Sequence, residues 1–350
     1  MSIICVTKKS IPVDPQKLTC IYGAGDLGSG VGNVIGVRIK EYFYTVDDQY
    51  INAEFVEDKW GGHRLRRLSE VLQDDSVNLF WGIGSYNELN KFLKGKIEKD
   101  IYLLFSTFSL WEWDQHLFDR NRNKYDRAKN ILVDKLSQNI FDAFLEAHKT
   151  GLADDDIKFG SLEDTYFNSL TKDIPDGAYV DCGAFNGDSA AEFLQFAGDS
   201  RRKVIAFEPD ADNFKALSKR GFENADYINQ GVWDCSTRLS FSGGDAQGSH
   251  LSEDGDQTVA VTSIDETVHE KVAFIKMDVE GSELKALEGA RHTIERDLPI
   301  LTISAYHRQT DLFELVEEIH SFCEGKAYAL YLRHHAPCDT ELVLYGIPRK

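Results

Sequence analysis

No two of the six cysteines (Cys5, Cys20, Cys182, Cys235, Cys323, Cys338) form a C-x-x-C pair. That speaks against a zinc site or a disulfide framework and suits a reducing cytoplasm. No apolar stretch approaches the roughly 18 residues needed to span a bilayer, and residues 1–20 lack the apolar core of a signal peptide. An integral membrane segment is therefore not expected. Positive charge is scarce: 39 Lys and Arg face 58 Asp and Glu, a net charge of -19. Such a surface repels phosphates, which argues against a DNA or RNA substrate. What is present is ordinary for a globular chain, with 42% hydrophobic and 28% charged residues over a length of 350 that allows two cores.

The chain is organised around Tyr179 to Gly281. Three short apolar runs there end abruptly in an acid or a glycine turn: Tyr179-Val180-Asp181-Cys182-Gly183, Val204-Ile205-Ala206-Phe207-Glu208 and Ala273-Phe274-Ile275-Lys276-Met277-Asp278. Runs of this kind fit strands buried on both faces of a parallel sheet. The C-terminal ends of such strands are where an open α/β sheet collects its ligand. Gly183 and Gly187 follow the first strand and precede a helix expected over 189–196, so the backbone there can turn sharply and let a ligand approach. Asp181, two residues before the first glycine, suits a zwitterionic amino acid better than a diphosphate. Glu208, at the end of the next strand, can accept both hydroxyls of a ribose. The pattern favours S-adenosyl-L-methionine over NAD.

From Tyr166 to Pro348 the sequence resembles the FkbM-type S-adenosylmethionine-dependent methyltransferases. The resemblance is carried by Val180 to Asp188, by Phe207-Glu208-Pro209 and, most specifically, by Ile275 to Ala290. Tyr306-His307-Arg308 and Tyr331-Leu332-Arg333-His334-His335 resemble the branch acting on sugars of surface glycans. The resemblance implies a class I, Rossmann-like methyltransferase sheet over 161–350 with an antiparallel hairpin at its edge. It also implies an O-methyltransferase acting on a sugar hydroxyl, carried on a nucleotide or a lipid. Asp181, Gly183, Ala184, Phe185, Gly187, Glu208, Pro209, Gly231, Val232 and Asp278 are the candidate cofactor residues.

Ahead of this domain, Leu18 to Tyr22 feeds a G-x-G-x-x-G at Gly23 to Gly28, and Asp47 falls where a ribose-binding acid would. Gly30, Gly32 and Gly36 crowd the helix that should follow. Strands at 77–81 and 101–105 with helices near 64–72 and 87–94 give a smaller Rossmann-like domain over 1–108. It reads either as a nucleotide or nucleotide-sugar pocket, or as a degenerate domain kept for scaffolding or for a homodimer. An NAD-dependent sugar reductase is a more distant reading, since no catalytic Tyr/Lys pattern stands out. Helical spacing over 110–145 predicts a connector, assigned to 109–160, that carries a basic run from Arg120 to Lys129. Asp154-Asp155-Asp156 marks a loop, as does the Gly- and Ser-rich 242–257. Val259 to Asp265 reads as a strand and Ser282 as a helix cap.

Methyl transfer to a hydroxyl needs an in-line approach and a group to take the proton. Asp278, Glu280 and His307 are the candidate catalytic residues, with His307 suited to the base role because it titrates near neutrality when unperturbed. Glu283 reads as structural. Asp265, Asp278 and Glu280 could hold a hard cation such as Mg2+, but carboxylates alone do not require one and no metal is assigned. Cys182 reads as a small buried hydrophobe. An inactive scaffold that binds nucleotide sugars is the alternative from another class.

Overall fold

The computed structural model describes residues 3–5, 17–22, 42–46, 59–60, 63–82, 101–103, 113–150, 159–242, 250–251 and 257–349. The chain divides into two compact units, one built from 1–113, 142–158 and 336–340, the other from 114–141, 159–335 and 341–350. Stretches 23–41, 47–58, 83–100, 151–158, 243–249 and 252–256 lie outside the described residues. They include the Gly23–Gly28 fingerprint, Asp47, the helix expected at 87–94 and the Asp154–Asp156 loop.

The first unit holds β1 (Ile3–Cys5), β2 (Leu18–Tyr22), β3 (Tyr42–Val46), β4 (Lys59–Trp60), β5 (His63–Arg67), β6 (Val77–Trp81) and β7 (Ile101–Leu103). They make one sheet in the order β1-β7-β6-β2-β3-β5-β4, parallel except where β4 meets β5. Cys20, Ile21, Leu79 and Phe80 are fully buried, as the apolar runs predict. The helix expected over 64–72 is shorter. Residues 63–67 are a strand paired with β3, and only α1 (Leu68–Leu72) is helical. Sheet pairing here overrides the helical preference of Leu and Arg.

The helical spacing read over 110–145 corresponds to two helices, α2 (Gln115–Ile131) and α3 (Lys135–Thr150). Asp114 caps α2 by accepting from the amides of His116 and Leu117 at 2.8 and 3.0 Å. Its buried Tyr125 donates to the Gln309 carbonyl at 2.9 Å. Part of the basic run is engaged locally: Arg127 pairs with Glu317 at 2.8 Å, and Lys124 lies over the Phe313 ring.

In the second unit the elements run β8 (Ala178–Cys182), α4 (Asp188–Ala197), β9 (Val204–Phe207), α5 (Ala211–Ser218) and β10 (Ala225–Ile228). Next come β11 (Gly231–Val232), β12 (Thr237–Ser242), β13 (His250–Leu251), β14 (Gln257–Thr262) and α6 (Ile264–Thr267). The remainder is β15 (Val272–Met277), α7 (Glu283–Glu288), α8 (Arg291–Asp297), β16 (Ile300–Ser304), α9 (Asp311–Ser321), β17 (Tyr328–His334) and β18 (Leu342–Pro348). The main sheet has the order β10-β9-β8-β15-β16-β18-β17, parallel through β16 and antiparallel beyond it. The chain winds outward from β8 to β10, then returns to start again at β15. The order therefore reverses between β8 and β15, the point where such sheets bind ligands. Tyr179, Phe193, Phe167 and Phe274 stack into the core beneath it, with Tyr179 and Phe193 parallel at 4.2 Å.

Two expectations shift. The loop at 242–257 contains β13, which pairs antiparallel with β12. The strand expected to reach Asp265 stops at Thr262, because Ser263 accepts from the Glu266 amide and starts α6. Strands β11, β14, β12 and β13 form a separate small sheet. Among the described residues no helix is long and apolar enough to cross a membrane.

Candidate active site

Two chain segments meet at the reversal point. The first is the turn after β8. Gly183 and Gly187 are left-handed (φ 76° and 81°), and so is Phe185 (φ 48°), which leaves its ring about half exposed. The amides of Gly183 and Ala184 donate to the Phe207 carbonyl at 3.1 and 2.9 Å, pinning the turn to the end of β9. A Cβ on Gly183 would lie 1.9 Å from the Asp278 carbonyl, so the two strand ends touch backbone to backbone. Arg220 clasps the far side of the turn through Asn186, by Nε to its carbonyl at 2.7 Å and by a terminal nitrogen to Oδ1 at 2.8 Å.

Glu208 is buried at the end of β9, only 5% exposed. Its Oε2 accepts from the Phe185 amide at 2.8 Å and its Oε1 from the Asp210 amide at 2.9 Å. Burial raises its pKa, against the pull of those two amides. Each oxygen keeps a lone pair, so a diol can be gripped by a carboxylate already fixed in place. Asn229 donates to the carbonyls of Glu208 and Pro209 at 2.8 and 3.2 Å, holding β10 against this corner. Gly231 lies near the Pro209 ring, and Val232 is buried beside it.

Asp181 closes β8 from inside the sheet. It has no exposed surface and sits opposite Lys276 in the β8–β15 register. Its Oδ1 lies 3.3 Å from Lys276 Nζ, and its Oδ2 accepts from Ser189 Oγ at 2.6 Å. Lys276 Nζ also donates to the Gly183 carbonyl at 2.7 Å. The pair thus braces the turn through the Gly183 carbonyl. Cys182 is fully buried and its thiol pKa is pushed up by burial, in keeping with a packing role.

The second segment follows β15. Asp278 Oδ2 accepts from Tyr166 Oη at 2.9 Å, and Tyr306 Oη lies 3.5 Å from Oδ1. Burial opposes its ionisation, but Lys276 and His307 outweigh that and lower its pKa. Glu280 takes a left-handed backbone (φ 53°) and leaves 49% of its side chain open. Burial and the neighbouring carboxylates raise its pKa to about 7. His307, just past β16, is 3% exposed at its side chain. Its Nε2 lies 3.5 Å from Asp278 Oδ1 and 3.4 Å from Glu280 Oε2, while Nδ1 lies 2.9 Å from Glu283 Oε1. Burial disfavours the imidazolium, yet Glu283, Asp278 and Glu280 together raise its pKa to about 10. His307 is therefore a cation near neutrality in this surrounding, where the sequence suggested a neutral base.

The structure brings Asp278, Glu280 and His307 together across from the glycine turn and Glu208. It adds residues that sequence reasoning missed. Tyr166 comes from a distant segment with no motif of its own. Glu283 is almost fully buried behind His307 and also accepts from the Val279 amide at 2.9 Å, in the turn ahead of α7. Ser282 has φ -100° and ψ 7°, not the extended backbone a side-chain cap needs, and makes no cap bond. Glu341, left-handed at the start of β18, has its pKa raised to about 7 by burial and by Asp278. Lys276 did carry a signal, a lone charge inside an apolar strand. The cation set Asp265, Asp278 and Glu280 is not assembled. Asp265 accepts from the amides of His292 and Thr293 at 3.0 and 2.8 Å and starts α8.

Among known proteins, residues 181–330 match the family described as the methyltransferase FkbM domain. A curated relative, the hexuronic acid methyltransferase AglP of Haloferax volcanii, is 32% identical over 34% of this chain. That match spans 54% of the relative, about half its length. The crystal structure of methyltransferase FkbM from Methylobacillus flagellatus KT covers 95% of this chain and 90% of its own, with a TM-score of 0.64 at 23% identity. That likeness bears on the fold, which is the Rossmann-like class I methyltransferase sheet.

Proposed function

We propose that the FkbM methyltransferase domain formed by residues 181–330 makes this chain an S-adenosylmethionine-dependent O-methyltransferase. Its acceptor in this reading is a sugar hydroxyl on a nucleotide or lipid carrier, in surface-glycan synthesis in the cytoplasm. The observation that carries it is the meeting of a nucleoside corner (Gly183, Phe185, Gly187, Glu208) with an acid cluster (Asp278, Glu280, His307) at one reversal point of the sheet. The hexuronic acid methyltransferase among the relatives supports the sugar class.

The residues fit the donor. The turn at Gly183 closes against the Asp278 carbonyl with its backbone in the left-handed region, and Glu208 offers two oriented oxygens to a ribose. When bound, S-adenosylmethionine supplies an electrophilic methyl on a sulfonium. Gly231 and Val232 would flank the base. Asp181 acts as a positioning residue, through Lys276 and the Gly183 carbonyl. On the acceptor side, Asp278 is tied by Tyr166 and orients the incoming hydroxyl. Glu280, the most open of the three, takes the hydroxyl proton as the oxygen attacks. Placing that oxygen about 3 Å from the methyl, opposite the sulfur, is the main contribution of such a site.

Two measurements test this reading. Mass spectrometry of a nucleotide-sugar panel incubated with enzyme and methyl donor should find one product heavier by a methylene, and Glu280→Gln should lose that product while keeping affinity for S-adenosylhomocysteine. Calorimetry on Glu208→Ala should show S-adenosylhomocysteine binding weakened by about 1.5–3 kcal/mol, the range of hydrogen bonds to charged groups. Unchanged affinity in that variant would remove Glu208 from the ribose.

A further inference from the structure

We infer that Glu341 is an acceptor-binding residue: it holds one hydroxyl of the sugar, while His307 Nε2–H and Glu280 hold another. The inference rests on the methyltransferase reading and adds a contact from a different strand. Position comes first. In the antiparallel ladder Ser304 pairs with Val343, and the Ala305 amide donates to the Leu342 carbonyl at 2.8 Å. One step further, the same register sets Glu341 across from Tyr306, at the end of β16 that delivers His307. The His335 amide donates to the Glu341 carbonyl at 3.0 Å and fixes the backbone at φ 61°, a left-handed value that glutamate adopts only at a cost. Its side chain acts electrostatically on Asp278 and on the hydroxyls of Tyr166 and Tyr306, the two tyrosines that meet Asp278. The carboxylate therefore enters the acid cluster from β18, whereas Asp278 and Glu280 enter it from β15.

Acids gathered in one place do not by themselves make a site. The independent observation is the donor among them. His307 is 3% exposed at its side chain, and Nε2 lies 3.5 Å from Asp278 Oδ1 and 3.4 Å from Glu280 Oε2 with no hydrogen bond to either. In the imidazolium both ring nitrogens carry protons, so Nε2 is a buried N–H without an acceptor, which is rare and calls for a ligand. Glu283 Oε1, 2.9 Å from Nδ1, holds the ring in that direction.

This lining selects by elimination. A metal ion needs a lone pair that the imidazolium lacks, and an anionic group would meet Asp278, Glu280 and Glu341. A hydroxyl answers both demands, since its oxygen accepts from Nε2–H while its proton goes to a carboxylate. Among the described residues neither Glu280 nor Glu341 accepts a hydrogen bond, although both side chains are partly withdrawn from water. Two such carboxylates call for two hydroxyls on one molecule, which a sugar ring carries and a simple alcohol does not.

Saturation-transfer NMR on the full chain loaded with S-adenosylhomocysteine, titrated with methyl glucoside, methyl galactoside and methyl mannoside, decides it. At least one hexoside should bind saturably to the wild type and about tenfold more weakly to Glu341→Gln, where a neutral amide replaces a charge-assisted acceptor. S-adenosylhomocysteine affinity should be unchanged in that variant. Its melting temperature should hold or rise, because a charge beside Asp278 is gone. Glu341→Asn suits the left-handed backbone better but is one methylene shorter, so it should show the same loss and covers a failure of the first variant to fold. Equal hexoside binding in the wild type and the folded variants, or none in the loaded wild type, overturns the assignment. A wild type that does not bind S-adenosylhomocysteine counts against the methyltransferase reading, whereas binding of it with hexoside affinity indifferent to Glu341 counts against this contact alone.

Discussion

Gly183→Ala should abolish measurable binding of S-adenosylhomocysteine. The added methyl would sit 1.9 Å from the Asp278 carbonyl oxygen, and that oxygen belongs to backbone, not to a side chain that can swing away. The residue is also left-handed at φ 76°, which costs an alanine roughly 1–2 kcal/mol before any overlap is counted. Relief requires the ends of β8 and β15 to part. The amides of Gly183 and Ala184 would then leave the Phe207 carbonyl, and Asp278 would leave Tyr166. One methyl thus disturbs the nucleoside corner and the acid cluster together. Gly198→Ala is the matched control, left-handed at φ 67° with nothing within 4 Å of its would-be Cβ. It should carry the backbone penalty alone and bind S-adenosylhomocysteine as the wild type does. Calorimetry on the two variants checks this, and wild-type affinity in Gly183→Ala would falsify the close approach of the two strand ends.

How much of this could be read from the chain depends on what each signal measures. Strands β8, β9, β15 and β16 were legible because parallel strands covered on both faces are written as unbroken apolar runs. The glycine turn was legible because only glycine takes such a backbone without strain. Glu208 followed from its place at the next strand end. Asp181 is fully buried against Lys276 and Ser189, and a strand apolar on both faces does not say which way a given side chain points. Only the register, with Lys276 opposite, decides that. Tyr166 could not be found, because its bond to Asp278 spans 112 residues and has no local pattern. Glu283 was read as structural from its place beside a helix start. Its Oε1 accepts from the Val279 amide ahead of that helix and lies beside His307, which arrives from another strand. His307 itself was located by its strand, but its charge state is set by three carboxylates that spacing does not reveal.

The second large effect concerns stability. Asp181→Ala should destabilise the second unit by about 3–5 kcal/mol, the usual cost of leaving a buried ion without its partner. Lys276 is only 4% exposed at its side chain, and with Asp181 gone its ammonium would keep the neutral carbonyls of Gly183 and Cys182 in place of its carboxylate partner. Ser189 would lose the acceptor of its 2.6 Å bond as well. The fall in melting temperature should be on the order of 10 °C for a domain of this size. Replacing both partners with apolar residues of similar volume, Asp181→Leu with Lys276→Met, should return most of the loss, because no charge then stays buried alone. The two variants should part on binding. The double replacement recovers the fold but not the tie from Lys276 to the Gly183 carbonyl, so S-adenosylhomocysteine affinity should remain below wild type although the melting temperature is restored. Denaturant titration and calorimetry on the single and double variants read these two quantities separately. If affinity returned together with stability, the pair would be a core contact only, and the turn would owe its shape to the Phe207 carbonyl and the Arg220 clasp.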